Sequence, residues 1–308
     1  MKILKKLVTT VTLFSLLLNS STAFASGQEN NGVIDELWGV PILAHGASLN
    51  ESQLADVHQI LGLTDRSFDS IYVTGSDVVY FLGTGNPNVS MYSSALITRR
   101  PADSGIDVSI LTPNNITRVT ATQYANAMIT AGVTDALVEV VSPIPVTGEA
   151  ALTGIYKAFH ERGVVLDEDR MAVAQEQLEV TSSIATYHHD NEDFNAYNLD
   201  QAVIEIQSTL ADIYQASGEL ATPADIIEVA RTALDSNSLA DIITEEQIQQ
   251  LAGFASNFQL TDAIHSEEFR DQLSNLADRV GNLISNVDTG TLASWWNRLV
   301  DWLRSLFN

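Results

Sequence analysis

Apolar positions along the chain follow two rhythms. Between Trp38 and about residue 162, short apolar runs alternate with helical segments; from Leu199 onward they recur every three or four residues. In the first region Val40 to Ala44, Ile71 to Val73 and Ala136 to Val141 suit strands. Met91 to Arg99 and Ile106 to Leu111 alternate, with Pro101 and Gly105 between them, and are expected to form an antiparallel pair. Asn50 with Gln53 three residues later is a capping box, opening a helix whose apolar face is Leu54, Val57, Ile60 and Leu61. Ser76 to Leu82 reads as a short helical or irregular turn. Thr120 caps a helix that runs to Ala131 and stops at Gly132, and another is expected over about 148–162.

In the second half the strand signal fades. Leu199, Val203, Ile206, Leu210 and Ile213 repeat with 4-3-4-3 spacing, and so do Phe269, Leu273, Leu276, Val280, Leu283 and Val287. That spacing marks helices packed with nearly parallel axes. Thr222-Pro223 and the Thr244/Gln247 box start two more helices. The polar stretch 187–198 reads as a hinge between the halves. The fold class is therefore α+β. A mixed N-terminal sheet with covering helices (37–165) precedes an all-helical bundle (166–288) and a C-terminal amphipathic helix (291–308).

The two ends carry the clearest local signals. Residues 1–25 have a basic start at Lys2, Lys5 and Lys6, an apolar run from Leu7 to Leu18, and Ala23-Phe24-Ala25, the three parts of a signal peptide. The apolar run is short for a membrane span. Residues 26–36 are polar and expected to be disordered. Cysteine is absent, which excludes lipid attachment through cysteine and disulfides, and no Leu-Pro-x-Thr-Gly sorting motif occurs. The expectation is a protein secreted by a Gram-positive cell, extracellular or associated with the envelope. At the other end, Trp295, Trp296, Leu299, Trp302, Leu303, Leu306 and Phe307 form an apolar face opposite Ser294, Asn297, Arg298, Asp301 and Arg304. Such a face suits docking on the bundle, a partner protein or a membrane surface.

Charge narrows the partners. The whole chain carries −24, and the signal segment would remove three lysines, leaving Lys157 alone with eleven arginines. A surface this acidic repels nucleic-acid phosphates, so nucleic acid is excluded as a partner. It suits equally plain solubility or a salty or alkaline habitat.

Sequence motifs give catalysis little support. Around "PIPVTGEAALTGI" (143–155), the Thr147-Gly148-Glu149 turn lacks the Lys-Ser/Thr of a phosphate loop, and Glu149 itself would occupy the positive end of the helix dipole. His188, His189, Asp190 and Asp193 are metal-ligand types in a cluster, but adjacent histidines diverge and the acids lack EF-hand spacing, so they are weak metal candidates. No G-x-S-x-G or S-x-x-K motif appears, and His45, His58, His160 and His265 are scattered. Lys157 is expected to pair with Glu161 at i+4. No catalytic residue and no cofactor follow from these patterns. A non-enzymatic binding protein leads, with a secreted hydrolase using N-terminal-domain carboxylates as its alternative.

Several blocks resemble the YpuA-like family of predicted secreted proteins, found chiefly in Firmicutes and carrying a domain of unknown function. They are "GASLNESQLADVHQILGL", "IYVTG" with "YFLG", "NITRVTATQYANAMITAGVTDALVEVVSPIPVTGEAALTGIYKAF" and "VAQEQLEVT", together covering about residues 39–182. The chain departs from the family at Thr147-Gly148-Glu149, where Ser-Gly-Thr is common, and at Ser48, where Asp is common. The resemblance implies export and a two-part layout. It implies no reaction, ligand or site residue.

Overall fold

The computed structural model of the chain describes residues 38–83, 85–148 and 150–285. The expected signal peptide, the polar segment 26–36, Glu149 and the Trp-rich segment 291–308 lie outside the described residues.

Among the described residues five strands form one sheet: β1 (Ile42–Gly46), β2 (Asp69–Val73), β3 (Ser94–Arg99), β4 (Ile106–Ile110) and β5 (Ala136–Val141), in the order β2-β1-β3-β5-β4. β1 runs parallel to β2, and β4 parallel to β5, while β3 lies antiparallel between β1 and β5. The expected antiparallel pair of β3 with β4 is therefore wrong, because β5 inserts between them. The cause is composition. β5 reads ALVEVV and is mostly buried, so it takes a central place; β4 carries Asp107 and Ser109 and sits at the edge, where polar groups meet water.

Helix α1 (Glu51–Ile60) joins β1 to β2, and its Asn50/Gln53 capping box forms as expected. Val57 and Leu61 pack with Leu43, Leu96 and Val141 on one sheet face, whereas Ile60 is left exposed. Residues Gly75–Leu82 are a true helix, α2, because Thr74 and Asp77 make a reciprocal capping box. The other sheet face is covered by α3 (Ala121–Thr130) and α4 (Ala150–Glu161). Tyr124, Leu152, Tyr156 and Phe159 are fully buried there. Burying each such side chain contributes about 1.5–3 kcal/mol.

Among the described residues five more helices follow: α5 (Glu168–Tyr187), α6 (Ala196–Ser217), α7 (Pro223–Ser236), α8 (Glu245–Phe258) and α9 (Glu267–Ser285), with a short 3-10 helix at Asp262–His265. Thr222 and Thr244 cap α7 and α8 as their boxes require. Every member of the Leu199-to-Ile213 stripe is buried, as are Phe269, Leu273, Leu276 and Val280. Leu283, next in the α9 stripe, is 45% exposed. One hydrophobic core runs from the sheet through the helices, from Ile42 to Val280. Architecture and fold class agree: α+β, with the helices that follow the sheet stacked on α3.

Arg170 on α5 fixes that stacking. Its Nε donates to the Thr130 carbonyl at 2.7 Å and its Nη2 to the Ile129 carbonyl at 3.0 Å. A cation thereby satisfies the carbonyl end of α3, where the helix dipole is negative. Lys157 does not pair with Glu161. It reaches instead to Asp77 Oδ1 and the Tyr72 carbonyl, both at 2.9 Å, tying α4 to β2 and to the start of α2.

Candidate functional site

The turn from β3 to β4 and the start of β5 are built on unusual backbone geometry. Asp103 and Asp135 adopt positive φ, at 64° and 45°, conformations that short acidic side chains tolerate better than most. Asp135 is nearly buried, and its Oδ1 accepts the Gly105 backbone N–H at 2.9 Å. Its carbonyl accepts the Arg100 N–H at 2.7 Å, so one residue clamps both sides of the turn. Arg99 ties β3 to the residue before Asp135, donating to Thr134 Oγ1 at 3.0 Å.

Opposite this turn lies the first half of α9, where Glu267, Glu268 and Asp271 come forward. Acids in a first turn are favoured by the helix dipole, which explains their place in the sequence. Together with Asp103 and Asp135 they line a cleft of about 750 Å³. Among the described residues none of these five carboxylates closes an ion pair. Arg170 feels the charge of Glu268 but pairs with Asp262 at 3.5 Å. Just outside the cleft Asp107 is satisfied twice, by Arg100 and by Arg279. The cleft thus concentrates negative charge on a fixed frame.

That arrangement suits a cation spread over several points better than a small ion. Among the described residues no group of three or more His, Cys, Asp or Glu is placed to hold a metal. The four sequence candidates part company. His188 turns inward, its ring stacked on Phe194 and its Nε2 2.9 Å from Gln247 Oε1. His189 and Asp190 lie outside and bond to each other at 2.8 Å, and the side chain of Asn191, between them and Asp193, accepts the Asp193 N–H. The stretch 187–198 joins α5 to α6 and is pinned by His188, so it is no hinge between sheet and helices.

The carboxyls with the largest upward shifts lie elsewhere. Burial pushes Asp200 up to about 7, against opposing hydrogen bonds from Thr120 and Gln123. Burial likewise raises Glu205 to about 7, despite Asn237 and Gln201. Both are sealed inside α6, 2% and 6% exposed, and neither lines the acidic cleft. Their protons are set by the core and are out of a substrate's reach.

The Thr147-Gly148 turn is a packing device. Gly148 has φ +97°, its carbonyl accepts the Tyr124 hydroxyl, and a Cβ there would stand 2.8 Å from Tyr124 Oη and from Ile116 Cγ2. Tyr124 thus occupies the space beside the glycine. The Trp295 to Phe307 face, the other sequence-derived candidate, lies outside the described residues.

None of the cleft acids was singled out by sequence patterning. Asp103, Asp135 and Glu267 are far apart in the chain, and only the β4–β5 pairing with α9 across it brings them together. The one local signal was Ser266-Glu267-Glu268, a capped acidic helix start.

Comparison with known proteins places this fold in company. The model of a family described as protein of unknown function, DUF1002, matches residues 45–276. The chain is 28% identical over 280 residues to the uncharacterized protein YpuA of Bacillus subtilis (strain 168), covering 89% of each chain. No solved structure matches it.

Proposed function

The chain belongs to the DUF1002 family of proteins of unknown function, and from that premise we propose that it is a secreted, non-enzymatic binding protein whose acidic cleft receives a cationic segment of an extracellular or cell-envelope partner. The observation that carries this reading is the set of five carboxylates, drawn from the β3–β4 turn, the start of β5 and α9, facing one cleft with no ion pair among the described residues. Focusing of like charge in a cleft raises the local concentration of an opposite charge and speeds its capture. Export is supported by the sequence of residues 1–25. No described helix is long and apolar enough to cross a membrane.

The hydrolase alternative is favoured by one feature, the convergence of carboxylates. It is weakened by another: glycosidase-type chemistry needs a carboxyl held protonated at the substrate, and the two raised to about 7 are enclosed in the core.

Titration calorimetry with an oligoarginine peptide and with spermine tests the proposal. Binding should weaken at least several-fold in Glu267→Gln/Glu268→Gln/Asp271→Asn and fall steeply with salt. Affinity unchanged by the triple neutralisation would overturn it. Fractionation of cells into medium, wall and membrane tests export, and retention in the cytoplasm would overturn that part.

A further inference from the structure

Between the edge strand β4, helix α3 and the second half of α9 lies a groove of about 380 Å³ that shares no lining residue with the acidic cleft. Side-chain size explains it. Leu276, Val280 and Leu283 of α9 follow one another at helical spacing on one face. Opposite them α3 offers Ala121, Thr122 and Ala125, which are too small to close the gap. Ile106 and Val108 of β4 complete a mainly apolar lining.

The charge in this lining has the opposite sign to that of the chain. Asp107 and Arg279 are its charged members. Arg279 Nη1 donates to Asp107 Oδ1 and Arg100 Nη1 to Asp107 Oδ2, so two cations share one anion. One positive charge is left over there, in a chain of net −24. A guanidinium carries five N–H donors in a rigid fork, and Asp107 takes one of those on Arg279. The Arg279 Nε–H is shut away from solvent with no acceptor, a donor set that an entering anion would complete. Asp278, beside Arg279 in sequence, is exposed and does not line the groove.

We propose that this groove binds a free medium-chain fatty acid, its acyl chain against Leu276, Val280 and Leu283 and its carboxylate on Arg279. A planar carboxylate matches the guanidinium fork. Its single negative charge equals the one left over beside Asp107, whereas a doubly charged phosphate would add surplus charge to an acidic chain. The apolar lining disfavours a ligand that is polar all round, because its hydroxyls would be desolvated without partners. The volume lies in the lower part of the range of small-ligand pockets, which suits a short amphiphile. The cationic partner proposed for the acidic cleft plays no part in this inference.

Isothermal titration of sodium decanoate into the mature chain tests it. Binding should be saturable and about fourfold tighter for each methylene added from octanoate to decanoate. Decanol, which carries the chain without the charge, should bind roughly tenfold more weakly. Arg279→Met removes the fork while Asp107 keeps Arg100, and should weaken decanoate roughly tenfold with circular dichroism unchanged. Leu283→Asp, at a position already 45% exposed, should weaken decanoate and decanol alike. Glu267→Gln/Glu268→Gln/Asp271→Asn, which disables the acidic cleft, should bind decanoate no more weakly than the parent chain. A loss in that triple variant would move the site into the cleft and overturn the proposal. So would the absence of saturable binding, equal affinity for decanol and decanoate, or affinity indifferent to both Arg279→Met and Leu283→Asp.

Discussion

The Thr120 hydroxyl donates to Asp200 Oδ2 at 2.7 Å, joining the start of α3 to α6 across the core. The same oxygen accepts the Gln123 backbone N–H at 2.9 Å, so one side chain caps its own helix and holds a buried carboxyl on another. Asp200 Oδ1 has no partner, which leaves ionisation of this group costly.

The pH dependence of stability follows from that cost. Burial raises the folded pKa of Asp200 from 3.8 to about 7, so between those values the folded state holds more protons than the unfolded one. Stability must fall as pH rises through this window, by on the order of 4 kcal/mol for a shift of this size. Glu205, raised to about 7 as well, acts with the same sign. Asp200→Asn keeps an acceptor for Thr120 and should raise the Tm at pH 8 while leaving it nearly unchanged at pH 4. Equal Tm changes at both values, followed by circular dichroism, would contradict this.

Thr120→Val removes the cap of α3 and the hydroxyl that donates to Asp200 Oδ2. Loss of a cap costs about 1 kcal/mol, and a hydrogen bond lost from a buried carboxyl a further ~1–3 kcal/mol. Urea denaturation should show both losses. In an Asp200→Asn background the second loss should shrink, and strict additivity of the two variants would speak against a direct coupling.

Arg170 bridges two carbonyls with a planar fork. Arg170→Met should cost about 2–3 kcal/mol in urea unfolding, since charge-assisted hydrogen bonds are lost and the carbonyl end of α3 is left bare. Arg170→Lys should recover only part of that, because one ammonium cannot reproduce the fork. Full recovery by lysine would show that charge alone matters there.

Gly148 and Gly163 separate backbone strain from crowding. Both have positive φ, at 97° and 77°, but an added Cβ meets Tyr124 and Ile116 at Gly148 and nothing within 4 Å at Gly163. Gly148→Ala should therefore lower the Tm more than Gly163→Ala, which carries only a strain of about 1 kcal/mol. Matching Tm values would mean the Gly148 turn has room to yield.

Local patterns reached far into this fold. The boxes at Asn50/Gln53 and Thr244/Gln247, and the Thr120 cap, were readable because a cap and its backbone donor lie three residues apart. The Leu199-to-Ile213 stripe was readable because burial on a helix repeats with the helical turn. Strand pairing was not, since β3 and β4 are neighbours in sequence and the competition for the central slot is won by β5, further along the chain. Lys157 likewise chose Asp77 over Glu161, because the fold brings a capped, half-buried carboxylate to it from a helix far away in sequence.

By itself, then, the sequence determined most of the helices with their caps and apolar faces, though not α5, and the acidic excess, all of which depend on residues within a few turns of one another. Only the tertiary structure decided the strand order, the gathering of Asp103, Asp135, Glu267, Glu268 and Asp271 around one cleft, and the sealing of Asp200 and Glu205 in the core. The physical reason is that charge density and burial are properties of space. Residues distant along the chain acquire them only once a shared core has closed between them.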